Sequence, residues 1–180
     1  IHEGSYWGWQ DTQGQFLDLF TPDSILNLVD SLRLNQLQVI GSHNSYHIAP
    51  YDTLLGVINV VAPDLAWTID YTHLTLEEQF LYYGIRQIEL DIYRDPLGGL
   101  FANRLGNWLT GHYEDVHPDI PDLYKPGLKI LHFPDIDFDT QHLTFSQALE
   151  ALKNWSNFYP SHVPIFVLIE CKSDGLEDYF

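Results

Sequence analysis

A chain of 180 residues with 45% apolar and 14% aromatic side chains can build one packed domain, or a large part of one, and is not a disordered polymer. Eight basic residues against 25 acidic ones give a formal charge of −17. That field repels nucleic-acid phosphates, which argues against a nucleic-acid partner, and disfavours adsorption to anionic membranes without forbidding recognition of one lipid headgroup. A single cysteine leaves no intrachain disulfide framework and no Cys-cluster metal site. No apolar run approaches the roughly 20 residues that a transmembrane span needs. The chain opens on Ile1 and contains no methionine, so it reads as a processed mature form or an excised piece.

Residues 1–20 are aromatic and Gln-rich without a clear period, and read as a packed lead-in. Thr21-Pro22-Asp23 then offers an N-cap, an N1 proline and a first-turn acid, followed by Ile25, Leu28, Val29 and Leu32 at helical spacing. Four apolar segments read as buried strands: Leu37–Ser42, Ile85–Tyr93, Leu128–Phe133 and Pro164–Glu170. Between them, Leu74–Tyr83 carries Leu76, Phe80 and Tyr83 at helical spacing and stops at Gly84. Thr144–Phe158 places Phe145, Ala148, Leu149, Leu152 and Trp155 on one face, with Thr144 and Gln147 as a capping box. Residues 94–127, rich in Gly, Asn, Asp and Pro, read as a long irregular excursion.

Strand, helix, strand in that order predicts parallel pairing and an α/β architecture, with the sheet covered on both faces. The polar residues of the predicted strands gather toward their C-terminal ends. His43 and Asn44 follow the first, Glu89 and Asp91 lie in the second, His132 ends the third, and Glu170 with Lys172 ends the fourth. In α/β folds that edge carries the functional groups.

Alternation along the second strand projects Glu89 and Asp91 together while Ile88, Leu90 and Ile92 point the other way. Two carboxylates on a buried face repel each other unless one is protonated or a cation sits between them. With Asn44 and Glu170 they form an all-oxygen set, which suits Ca²⁺ or Mg²⁺ better than zinc. The competing reading, ion pairs with Arg or Lys, has only eight basic residues to draw on. His43 and His132 suit proton transfer, and two histidines beside a cation suit cleavage of a phosphodiester. His43 and His47 share the i, i+4 spacing of a zinc pair, but no His-Glu-x-x-His pattern occurs. The remaining histidines read as surface or capping residues. Cys171 reads as a small buried hydrophobe facing a helix layer.

Gly41-Ser42-His43-Asn44-Ser45-Tyr46, Gly84–Asp91, Ile130-Leu131-His132 followed by Thr144-Phe145, and Pro164–Glu170 resemble four successive motifs of phosphatidylinositol-specific phospholipase C of the X-domain type. The run Phe133–Phe138 is most similar to its secreted, calcium-dependent bacterial branch. The resemblance implies a TIM-barrel phosphodiesterase acting on phospholipid headgroups at a membrane surface, giving diacylglycerol and a (cyclic) inositol phosphate. It implies His43 as the histidine at the attacking side, His132 as the general acid, and Asn44, Glu89, Asp91 and Glu170 as Ca²⁺ ligands. Lys172 stands where animal members carry a histidine, and is expected at most to contact phosphate.

A full (β/α)₈ barrel takes about 250 residues. The expectation is therefore an N-terminal half: residues 1–34 as lead-in and helix, and 35–172 as four βα units, with a C-terminal half missing. A glycerophosphodiester or sphingomyelinase D type of barrel, usually with Mg²⁺, is the nearest rival. A catalytically silent calcium- or lipid-binding module is the non-enzymatic one. The missing initiator, the lone cysteine and the resemblance to a secreted branch together suggest a secreted or periplasmic protein.

Overall fold

The computed structural model describes Trp9–Gln10 and Phe16–Leu17 by their backbone, then residues 32–112 and 120–172. The two short strands β1 (Trp9–Gln10) and β2 (Phe16–Leu17) pair antiparallel. The helix expected after Thr21 and most of the lead-in lie outside the described residues.

The centre of the domain is β3 (Gln87–Asp95), flanked by β4 (Gly127–Ile130) and β5 (Phe166–Lys172) in the order β4-β3-β5. β5 runs parallel to β3, with Asp91 opposite Glu170 and Tyr93 opposite Lys172. β4 runs antiparallel, with Ile92 opposite Ile130 and Asp95 opposite Gly127. This corrects the expectation of an all-parallel set. The chain leaves β3 at Asp95, makes its excursion and folds back along the same edge, so no crossover helix is required. The first expected strand is also reduced. Leu37–Ser42 makes only a parallel bridge at Gly41 to Gln87, with the Ile40 carbonyl accepting from the Arg86 and Gln87 amides at 2.9 and 3.2 Å.

Five helices with described caps surround this core: α1 (Asp52–Val61), α2 (Pro63–Ile69), α3 (Leu76–Tyr82), α4 (Leu105–Thr110) and α6 (Phe145–Phe158); a short α5 (Ile120–Leu123) precedes β4. The sequence signals for α3 and α6 act as expected. Thr75 and Glu78 form a reciprocal capping box on α3, and Thr144 and Gln147 form another on α6. α3 is stopped at its C-cap Tyr83, followed by Gly84 at φ +62°, a left-handed turn that glycine adopts without a Cβ penalty. α1 and α2 were not anticipated. They are joined by Ala62 with Pro63 at a first helical position, where a proline's missing N–H costs nothing. The excursion of residues 94–127 is likewise not wholly irregular, since it carries α4 and α5.

β3 separates two apolar cores. Ile88 and Leu90 face one side with Ile130, Leu76, Phe80, Ala148 and Trp155, so α3 and α6 cover that face. Arg86 lies over the Trp155 ring and donates to the Phe80 carbonyl near the end of α3, where a cation complements the helix dipole. Tyr93, on the opposite side, joins Leu54, Ile58, Ala66, Ile69 and Leu131 under α1 and α2. Glu89 and Asp91 share the Tyr93 side. Leu149 on α6 and Cys171 on β5 are exposed, against expectation. Among the described residues, no helix covers the end of β5 that carries Cys171.

Candidate active site

The His43–His47 turn is fixed by a dense set of polar contacts. Ser45 clamps it to β3 twice: its amide donates to the Glu89 carbonyl at 3.1 Å, and its Oγ accepts from the Glu89 amide at 3.0 Å. The buried Gln79 of α3 donates to the carbonyls of Ser45 and Leu74 at 2.8 and 2.7 Å and accepts from Ser42 Oγ at 2.7 Å. Asn44 sits at φ 45°, a left-handed conformation that Asn tolerates better than most residues. His43 is thereby left outside, with its side chain 73% exposed and its Nε2 4.0 Å from Glu89 Oε2.

Strand pairing assembles the carboxylates. Glu89, Asp91 and Glu170 each place an oxygen within 4.8 Å of the others. Lys172, two residues beyond Glu170, reaches back with its ammonium 2.9 Å from Glu170 Oε1 and 3.2 Å from Asp91 Oδ2. Burial lowers the Lys172 pKa, but the Glu170 and Asp91 carboxylates outweigh it and raise the pKa overall. The ion-pair alternative is thus partly realised, yet three carboxylates against one ammonium leave two formal negative charges. Among the described residues, the two buried Asp91 oxygens have no partner of normal hydrogen-bond geometry beyond that ammonium, and the buried Asn44 Oδ1 has none. Unsatisfied buried oxygens are costly. Here they are all hard donors, and they fit a divalent cation.

Two neighbouring tyrosines respond to this negative field. The Tyr46 hydroxyl is pushed up far beyond the ordinary phenol range, first by burial and then by Asp91. It lies beside that carboxylate without a hydrogen bond of normal geometry. Tyr71 is also raised, chiefly by burial, with Asp137, Asp91 and Glu89 adding to it against the opposing Asn44 bond. Asn44 Nδ2 donates to the Tyr71 hydroxyl at 3.3 Å.

A second cluster lies next to the first. His132 Nδ1 is 2.6 Å from Asp137 Oδ2, across a tight turn closed by reciprocal backbone bonds between Phe133 and Asp137 at 3.0 and 2.9 Å. Phe133 packs on the His132 ring at 4.1 Å. On its other side Asp137 meets the fully buried His47, whose Nε2 is 2.8 and 2.9 Å from its two oxygens. Sequence reasoning missed His47, Asp137 and Tyr71. His47 was visible only as a spacing, and Asp137 as the acid five residues after His132.

Of the expected site residues, Glu89, Asp91, Glu170 and Lys172 come together on β3 and β5, and Asn44 lies one residue from the clamp on Glu89. His43 borders Glu89, while His132 belongs to the second cluster. The contacts of Lys172 are to carboxylates. His162, as expected, serves locally, with Nε2 2.8 Å from Ser156 Oγ. His2 and His117 lie outside the described residues.

No curated protein and no solved structure matches the chain. The family model described as phosphoinositide phospholipase C, Ca²⁺-dependent, matches residues 32–179, well over half of the sequence. That span contains both clusters. The chain belongs to the Ca²⁺-dependent phosphoinositide phospholipase C family.

Proposed function

We propose that this protein cleaves phosphatidylinositol-type lipids to diacylglycerol and a cyclic inositol phosphate, with His43 and His132 as its acid–base pair. The observation that carries the reading is the pairing of β3 with β5, which gathers three carboxylates whose charge Lys172 only partly offsets. Asn44, Glu89, Asp91 and Glu170 would hold the Ca²⁺ named by the family. When bound, the ion would offset negative charge on the phosphoryl oxygens and lower the acidity barrier of the attacking hydroxyl.

The protein's own groups do the proton work. His43, exposed beside Glu89, accepts the proton of the inositol 2-hydroxyl as its oxygen bonds to phosphorus. As the bond from phosphorus to the glycerol oxygen breaks, His132 gives that oxygen a proton and diacylglycerol departs. Lys172, held by Asp91 and Glu170, would be the cation nearest the phosphate of a bound lipid. The parallel pairing of β3 with β5 and the exposed Leu168 and Ile169 support reading this sheet as part of a TIM-type barrel with further strands. Action at a membrane surface and export from the cell belong to the same proposal.

The test is product release from mixed micelles of phosphatidylinositol, with Ca²⁺, Mg²⁺ or chelator, beside glycerophosphodiester and sphingomyelin substrates. Calcium-dependent diacylglycerol release, lost in His43→Ala and His132→Ala, is the expected result. Cleavage of only the rival substrates with Mg²⁺ would overturn it.

A further inference from the structure

His47 and Asp137 are both fully buried, and the proposed chemistry uses neither. Their hydrogen-bond geometry nonetheless fixes where protons can sit. His47 Nδ1 is 2.9 Å from the Tyr71 carbonyl, and a carbonyl oxygen only accepts, so Nδ1 carries a hydrogen. The opposite nitrogen, Nε2, contacts both oxygens of Asp137. One proton must lie in that contact. It is on Nε2, giving an imidazolium and a carboxylate, or on Asp137, giving two neutral groups. Either way the pair is net neutral.

The ring cannot turn to escape this arrangement. Tyr71 stacks on it at 4.3 Å with an interplanar angle of 25°, and His132 approaches edge-on at 5.8 Å. Asp137 Oδ2 then faces His132 Nδ1 at 2.6 Å. With one proton already placed between His47 and Asp137, the arrangement of lowest buried charge has His132 Nδ1 donating to Oδ2. His132 Nε2 is left to take up a proton from solvent, and that proton of the resulting imidazolium is the one given to the leaving oxygen while Nδ1–H stays on Asp137 Oδ2. We infer that His47 and Asp137 are a neutral positioning pair, which locks the tautomer and orientation of His132 for proton transfer to the leaving group. The inference rests on the function proposed above.

A neutral pair differs from a charged carboxylate–histidine dyad in a way that can be measured. Asn at position 137 can donate from its nitrogen to His47 Nε2 and accept from His132 Nδ1 with its oxygen, keeping one hydrogen bond to each histidine without charge. In a dyad that depends on the carboxylate, the same change costs about 10⁴ in kcat through the wrong tautomer.

The experiment compares His132→Ala, Asp137→Ala and Asp137→Asn in the full chain. It measures kcat and KM on phosphatidylinositol micelles, and ring-nitrogen NMR of His132. Asp137→Ala should lose about 10²-fold or more in kcat with KM little changed. Asp137→Asn should rescue most of that loss and retain the Nδ1–H tautomer of His132. Should Asp137→Ala fail to fold, the Asn variant and its NMR spectrum still decide. An Asn variant as impaired as His132→Ala, or a neutral His132 ring with hydrogen on Nε2 and none on Nδ1 in the unsubstituted protein, would overturn the neutral pair. So would full activity in Asp137→Ala. If His132→Ala itself keeps full activity, the function proposal fails instead.

Discussion

Two polar clusters meet around the turn that carries Asn44 and His47, and they are completed differently. In the His47–Asp137–His132 cluster every buried nitrogen and oxygen that faces a neighbour has a partner within 2.9 Å. In the Glu89–Asp91–Glu170 cluster the buried Asp91 has, among the described residues, no partner of its carboxylate beyond the Lys172 ammonium at 3.2 Å, and that one ammonium, paired to Asp91 and Glu170, serves a set of three carboxylates. The first is closed by the chain itself. Among the described residues, the second keeps an excess of negative charge. Buried charge of one sign that is only partly paired is expensive, and the cation proposed above is what would relieve it.

The comparison can be broken most decisively at His47. Replacing it with Leu leaves the buried Asp137 with His132 alone, and the expected cost is about 1–3 kcal/mol in urea-unfolding free energy. A loss under 1 kcal/mol would mean that the closed cluster is not closed by this pair. Calcium should act on the other cluster. At a hundredfold excess over Kd it should stabilise the protein by about 2.7 kcal/mol, seen as a rise in Tm, and do nothing for Glu89→Gln.

Without calcium the same Glu89→Gln change should raise stability, by about 0.5–1 kcal/mol, since it relieves repulsion with Asp91. Equal destabilisation at Glu89 and His47 would erase the distinction between the clusters. The smallest effect concerns pH. The Lys172 pKa is raised in the folded state, so its ion pairs contribute fully below the ordinary lysine pKa and are lost as pH climbs through the raised value. From about pH 10 upward, Tm should fall more steeply in the unsubstituted protein than in Lys172→Met.

Much of this architecture was legible in the sequence because local chemistry dictated it. Alternation fixed which side of β3 carries Glu89 and Asp91, and the Thr75–Glu78 and Thr144–Gln147 boxes opened helices where expected. The direction of β4 was not legible. Parallel or antiparallel pairing depends on the route taken by the 31 residues between Asp95 and Gly127, and that route has no local signature. Cys171 was misread because alternation tells which face a residue takes but not whether anything covers it. His47 and Asp137 are 90 positions apart. Their partnership is a product of the fold, and the i, i+4 spacing of His43 and His47, without a His-Glu-x-x-His pattern, was no metal signal; His43 stays at the surface.

The measurement nearest the centre is calorimetric titration of Ca²⁺ and Mg²⁺ into the folded full chain, with Asp91→Asn alongside. Saturable Ca²⁺ binding, tighter than Mg²⁺ and lost in Asp91→Asn, is the expected outcome. A folded chain that binds no divalent cation, or binds it equally well after the substitution, would contradict the reading of the open carboxylate cluster as a metal site.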